Sequence, residues 1–267
     1  MSGSSILGNL PLRHFISVDA ESEVLAEGVA TANSIRARVE RKCHVRIPLI
    51  WFIRFQRTWN EYVEEDAINY FTRPVDKSFD GFALGNRQLL KLQSRGDEIA
   101  WHYHAYNYAH REDLSHAHKI AVLRADLLAC GVHILRCYPE FEVRTFRFGW
   151  SFVPDYSLYR LLRRLRIKID ASVQIESAGK KVKAFNLRYP SPITRFPKKI
   201  DGTWFVPLKR AHMVHEYELV AHNLGWTAQD EQQASQKRDD FEEKLLEIAR
   251  KCRETGATFA NYKETFL

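Results

Sequence analysis

The sequence predicts an α/β fold, a single domain over residues 1–267 built on parallel strands. Three observations carry this. Through the first two thirds of the chain, short runs of branched and aromatic residues alternate with longer amphipathic segments, the pattern of strand–helix–strand crossovers. No G-x-G-x-x-G follows any apolar run, which disfavours a dinucleotide-binding arrangement. Polar residues recur at the ends of the apolar runs, where parallel α/β folds and barrels carry their active sites. A length of 267 residues suits one α/β barrel, and 45% hydrophobic residues supply a sizeable core.

In chain order, His14–Val18 reads as a first strand and Ser22–Arg41 as a helix with an apolar face of Val24, Leu25, Val29, Ile35 and Val39. Ile47–Phe55 reads as a buried strand, Glu61–Phe71 as a helix and Pro74–Gly81 as a loop. Leu84–Gln93 reads as a helix closed by Gly96. Glu98–His102 is the next strand, and Ser115 starts a helix that runs through Ala129 and ends at Gly131. Arg144–Phe148, Pro154–Arg166 and Ile167–Val173 read as strand, helix and strand. Beyond Gln174 the pattern weakens around Pro190, Pro192, Pro197 and Gly202, with short strands at Trp204–Leu208 and His212–Val214. A long charged helix over Ala228–Thr255 and a last strand over Thr258–Asn261 complete the reading.

Composition narrows the classes of function. The start of the chain shows no basic cluster followed by an apolar run, and no stretch approaches the roughly 18 apolar residues of a membrane helix. Cys43, Cys130, Cys137 and Cys252 form no C-x-x-C pair, which fits reduced thiols in a cytoplasmic protein. The net charge of +7 suits an anionic partner. The densest basic run, Arg160 to Lys168, has the spacing of a solvated helix face, and no aromatic stripe is interleaved with it, so nucleic acid is not the expected partner.

The polar strand ends are the candidate site. In Glu98–Tyr106, period-2 alternation puts Glu98, Ala100, His102 and His104 on one face and Ile99, Trp101 and Tyr103 on the other. Two imidazoles at one point suit a divalent metal; the plainer alternative is a polar strand end with solvated histidines. Asp19 follows the first strand, with Glu21 two residues on, and serves as a metal ligand, a general base or simply a helix cap. Arg147 is embedded in Phe-Arg-Phe. It cannot lose its charge, so it needs an acidic partner, and Asp19 is the candidate.

In order along the chain, these residues resemble the polysaccharide deacetylases, the NodB-like carbohydrate esterases. Phe15-Ile-Ser-Val-Asp-Ala-Glu21 is similar to the family's apolar strand ending in an acidic pair. Gly96-Asp-Glu-Ile-Ala-Trp-His102 resembles its histidine motif. Thr145-Phe-Arg-Phe-Gly-Trp150 resembles the segment whose Arg orients the catalytic base. Ile167-Lys-Ile-Asp-Ala-Ser-Val173 is similar to a later strand, and Met213-Val-His-Glu-Tyr-Glu-Leu219 to the strand that carries a general-acid histidine.

The resemblance implies a distorted (β/α) barrel and metal-dependent removal of an N-acetyl or other acyl group from a sugar or sugar precursor in surface polysaccharide biosynthesis. It implies Asp19, Arg147 and His215 as catalytic residues, and a divalent ion, zinc being expected, held by His102, His104 and an acid, Asp19 or Glu21. The family's second histidine would stand at position 106, which is Tyr106 here. Either His104 replaces it, or Tyr106 ligates, or no metal is held. Tyr103, Tyr106, Trp150, Asp170 and Trp204 are the candidate substrate contacts. A nucleotide-linked or lipid-linked sugar in the cytoplasm is the expected substrate. The alternatives are an inactive barrel that binds a sugar or sugar nucleotide, and another C–N hydrolase acting on a formyl group or a cyclic amide.

Overall fold

Runs such as Ile50-Trp-Phe-Ile53 are apolar on both sides, and strands of that kind are stable only where both faces of a sheet are covered, the usual condition of a parallel sheet. The computed structural model describes residues 13–20, 25–56, 79–104, 115–149, 156–172, 197–206, 213–214 and 228–267. Its elements are β1 (Arg13–His14), β2 (Ser17–Ala20), α1 (Leu25–Cys43), β3 (Ile50–Gln56), β4 (Phe79–Asp80), α2 (Gly81–Ser94), β5 (Glu98–Tyr103), α3 (His116–Cys137), β6 (Thr145–Phe148), α4 (Tyr156–Arg164), β7 (Ile169–Asp170), β8 (Lys198–Ile200), β9 (Thr203–Phe205), β10 (Met213–Val214), α5 (Ala228–Thr255), β11 (Thr258–Phe259) and α6 (Tyr262–Phe266).

The main sheet has the order β10-β2-β3-β5-β6-β7-β9-β8, with β4 beside β3. All its pairings are parallel except β3 with β4 and β8 with β9. One face, with Val18, Trp51, Ile53, Trp101, Phe146 and Phe148, joins a single core with the helices. The other buries Ile50, Phe52, Ala100 and Ile169 against Tyr262 of α6. The α1 side of the first core is a helical stripe of Leu25, Val29, Ala32, Ile35 and Val39.

A buried ion pair fastens the start of β5 to its neighbours. Arg36 of α1 donates to Asp97 at 2.5 Å, and Asp97 also accepts from the Leu49 N–H at 3.2 Å and the Trp51 indole N–H at 2.9 Å. A charge taken out of water needs that many partners to break even.

Several boundaries depart from the sequence reading. The strand expected over His14–Val18 is divided between β1 and β2, which belong to different sheets, and Asp19 lies inside β2 rather than after the strand. Within the expected loop, Phe79 and Asp80 form β4, and Asp80 caps α2 by accepting the Ala83 N–H at 2.9 Å. Helix α3 does not end at Gly131 but runs on to Cys137. Leu165, just after α4, lies where a Cβ on residue 131 would be, so this glycine serves close packing rather than termination. The strand expected over Ile167–Val173 is reduced to β7. The expected helix Glu61–Phe71 lies outside the described residues.

Candidate functional site

Alternation along four neighbouring strands gathers polar side chains on one face, and the strand register places them at matching heights. Asp19 is level with Phe52, Phe52 with Ala100, Arg54 with His102, and His102 with Arg147. Asp19, Arg54, His102 and Arg147 therefore share the face that Phe52 and Ala100 line, towards the C-terminal ends of parallel strands.

His102 and His104 are buried, and their Nε2 atoms lie 2.9 Å apart. At that separation both nitrogens cannot carry a proton. Either one N–H donates to the other lone pair, or both lone pairs face a shared cation. His102 packs edge-on to Phe52, with ring centroids 6.5 Å apart. The His104 ring lies against Gly149 and fills the space a Cβ there would need. The His104 N–H donates to the Gln56 side-chain oxygen at 3.3 Å, which also accepts from Arg54 Nε at 3.1 Å.

Arg147 pairs with Asp19, as its place inside a strand requires. Its Nη1 donates to Asp19 at 2.5 Å, its Nη2 to Ser17 Oγ at 2.9 Å and its Nε to the Ala171 carbonyl at 3.1 Å. The guanidinium lies 3.6 Å from the centroid of the Phe52 ring. Both members of the pair are buried. A guanidinium held by three acceptors and an aromatic face fixes the Asp19 carboxylate in place.

The remaining candidates fall in different places. Tyr103, a candidate substrate contact, sits on the helix-facing side of β5 that alternation assigns to it, away from the histidines, its hydroxyl donating to Asp126 of α3 at 2.5 Å. Asp170 is fully buried and accepts the Ser172 N–H at 2.9 Å and the Ser172 hydroxyl. Burial pushes its carboxyl above the usual range, against the hydrogen bonds from Ser172 and the charge of Arg147. Ser172 Oγ in turn accepts the Phe148 N–H at 2.9 Å, so Asp170 ties β7 to β6. Trp204 is half-buried, level with Ile169, and packs on Phe266 of α6 with centroids 5.1 Å apart. Glu21, Tyr106, Trp150 and His215 lie outside the described residues.

Sequence reading missed Arg54, Gln56, Ser17 and Tyr262. For Arg54 the signal was present: counting in twos from Ile50 puts it on the same side as Phe52. Tyr262 carries no such signal, because it reaches this face from the C-terminal helix. Burial pushes its phenol up to about 12, with Arg147 opposing the shift.

Among the described residues, no third His, Cys, Asp or Glu joins the histidine pair as a metal-sized group. A cavity of about 440 Å³ opens at the other end of β5, lined by Gly96, Asp97, Glu98, Asn261 and Lys263, among others. His102 and His104 do not line it. No family model matches the sequence, and no curated protein matches it.

Proposed function

We propose that the chain is a metal-dependent hydrolase that removes an N-acetyl or similar acyl group from a sugar precursor, on a distorted (β/α) barrel of the polysaccharide deacetylase type. The observation that carries the reading is the pair of Nε2 atoms 2.9 Å apart, set at the height of the Arg147 that grips Asp19. An imidazole pair turned inward fits two ligands of a borderline divalent ion such as zinc. His102 and His104 would hold it, and a third ligand would come from outside the described residues, with Glu21 and Tyr106 the sequence candidates. When bound, the ion supplies a Lewis acid that polarises the amide carbonyl and makes bound water acidic.

The chain's own groups supply the rest. Asp19, oriented by Arg147, takes the proton of the attacking water. Arg147 holds that carboxylate in place. His215 is the residue the resemblance offers to protonate the leaving amine. The burial of this face excludes bulk water and strengthens each charge–charge contact. The net charge of +7 suits a nucleotide-linked or lipid-linked sugar. Among the described residues, no helix is long and apolar enough to cross a membrane.

One sequence feature favours a second reading, a barrel that binds a sugar or sugar nucleotide without turning it over: Tyr106 stands where the resemblance expects a second histidine. The two readings separate in one experiment. The full chain is treated with chelator, replenished with zinc, and assayed for acetate release from N-acetylglucosamine and its nucleotide-linked form. The hydrolase reading expects zinc-dependent release that His102→Ala abolishes. Sugar binding with no release supports the second reading, and zinc-dependent release of formate from an N-formyl sugar alone would move the activity to another C–N hydrolase.

A further inference from the structure

We propose that Tyr262, carried on α6, is a positioning residue for the Arg147–Asp19 pair; this rests on the reading of Asp19 as the base. A helix of five residues is too short to persist alone, so its neighbours must hold it. They do so at several points. The Lys263 N–H donates to Glu98 Oε2 at 2.9 Å, Asn261 Nδ2 to the Gly96 carbonyl at 3.1 Å, and Arg13 Nη1 to Thr265 Oγ1 at 2.9 Å. The Tyr262 ring packs on Phe15 at 5.0 Å between centroids.

These contacts drive one phenol into the sheet face that carries the site. Tyr262 is 2% exposed and shares a buried cluster with Phe52, the ring under the Arg147 guanidinium. A phenylalanine would fill the same volume. A buried hydroxyl, by contrast, costs stability unless it meets a polar partner. The Arg147 guanidinium lies 3.6 Å over that same Phe52 ring, has five N–H donors, and gives one from each of its three nitrogens to Ala171, Asp19 and Ser17. A phenol oxygen accepting from the same guanidinium restrains its rotation and so keeps Nη1 on Asp19.

The test uses the full chain with Tyr262→Phe, and Phe266→Leu as a variant that loosens α6 through its contacts with Phe15 and Trp204 instead. The first readout is the Arg147 Nε–Hε signal in the NMR spectrum, assigned with Arg147→Lys. The second is the split between kcat and KM for acetate release from the N-acetylated sugar. Tyr262→Phe is expected to shift the Arg147 signal, speed its hydrogen exchange about tenfold, and lower kcat about tenfold at unchanged KM. Phe266→Leu is expected to lower the thermal midpoint and leave the Arg147 signal in place. An Arg147 signal that ignores Tyr262→Phe, or moves equally in both variants, overturns the proposal. If the parent chain releases no acyl group, the hydrolase reading fails, and the NMR comparison alone still decides whether Tyr262 positions Arg147.

Discussion

The His104 imidazole occupies the space that any side chain at position 149 would need. Because His104 Nε2 is one of the two nitrogens 2.9 Å apart, the missing side chain at Gly149 sets the geometry of the pair. Gly149→Ala should push His104 away from His102. Zinc affinity, measured by calorimetry, is expected to fall about 10- to 100-fold, the usual cost of disturbing the support of a ligand, with an unchanged far-ultraviolet spectrum. Unchanged affinity would mean that His104 is not a ligand.

Arg147 and Asp19 should behave as one unit. Removing one partner of a buried pair leaves an uncompensated charge, so Arg147→Met is expected to cost about 3–5 kcal/mol in urea denaturation. The double variant Arg147→Met/Asp19→Leu should cost clearly less than the sum of the two single changes. Additive losses would show that the pair contributes little to stability.

Asp97 offers a test of the frame apart from the site. It accepts from Arg36, Leu49 and Trp51. Asp97→Ala is expected to lower stability by about 3–5 kcal/mol. Glu247→Gln, which breaks an exposed pair with Lys251 on α5, should leave the denaturation midpoint essentially unchanged. Equal effects in denaturant melts would contradict the burial argument.

Asp170 sets a pH dependence. Its folded carboxyl binds a proton more tightly than the unfolded one, whose ordinary value is 3.8, because burial disfavours the charge. Between that value and the raised folded one, the folded state holds more protons, so the stability contributed by this group is full below 3.8 and is lost as pH rises through the window. Asp170→Asn keeps an acceptor for Ser172 and does not ionise. Its stability relative to the parent should climb across that window and then level off. A flat difference between the two proteins would contradict the assignment.

Much of this was legible in the sequence, for reasons tied to particular residues. The strand and helix order followed from where the apolar runs lie, and His102 with His104 on one face followed from a period of two. The partnership of Arg147 and Asp19, 128 residues apart, followed from a charge that cannot be neutralised inside a strand. What alternation could not reveal was three-dimensional fit. Gly131 reads as a terminator but makes room for Leu165, and Gly149, beside the Arg147 strand, makes room for His104. Trp204 is aromatic in the right stretch of sequence, yet it packs on Phe266 of α6. Tyr262 was invisible because no local pattern tells where a C-terminal helix will dock.

The central claim is that His102 and His104 together hold a divalent ion. The most direct measurement is metal content by plasma mass spectrometry of the full chain, dialysed after zinc loading, beside His102→Ala and His104→Ala. The claim predicts about one zinc per parent chain and loss of that zinc in both variants. A parent chain without bound metal, or one whose zinc survives either substitution, would contradict it.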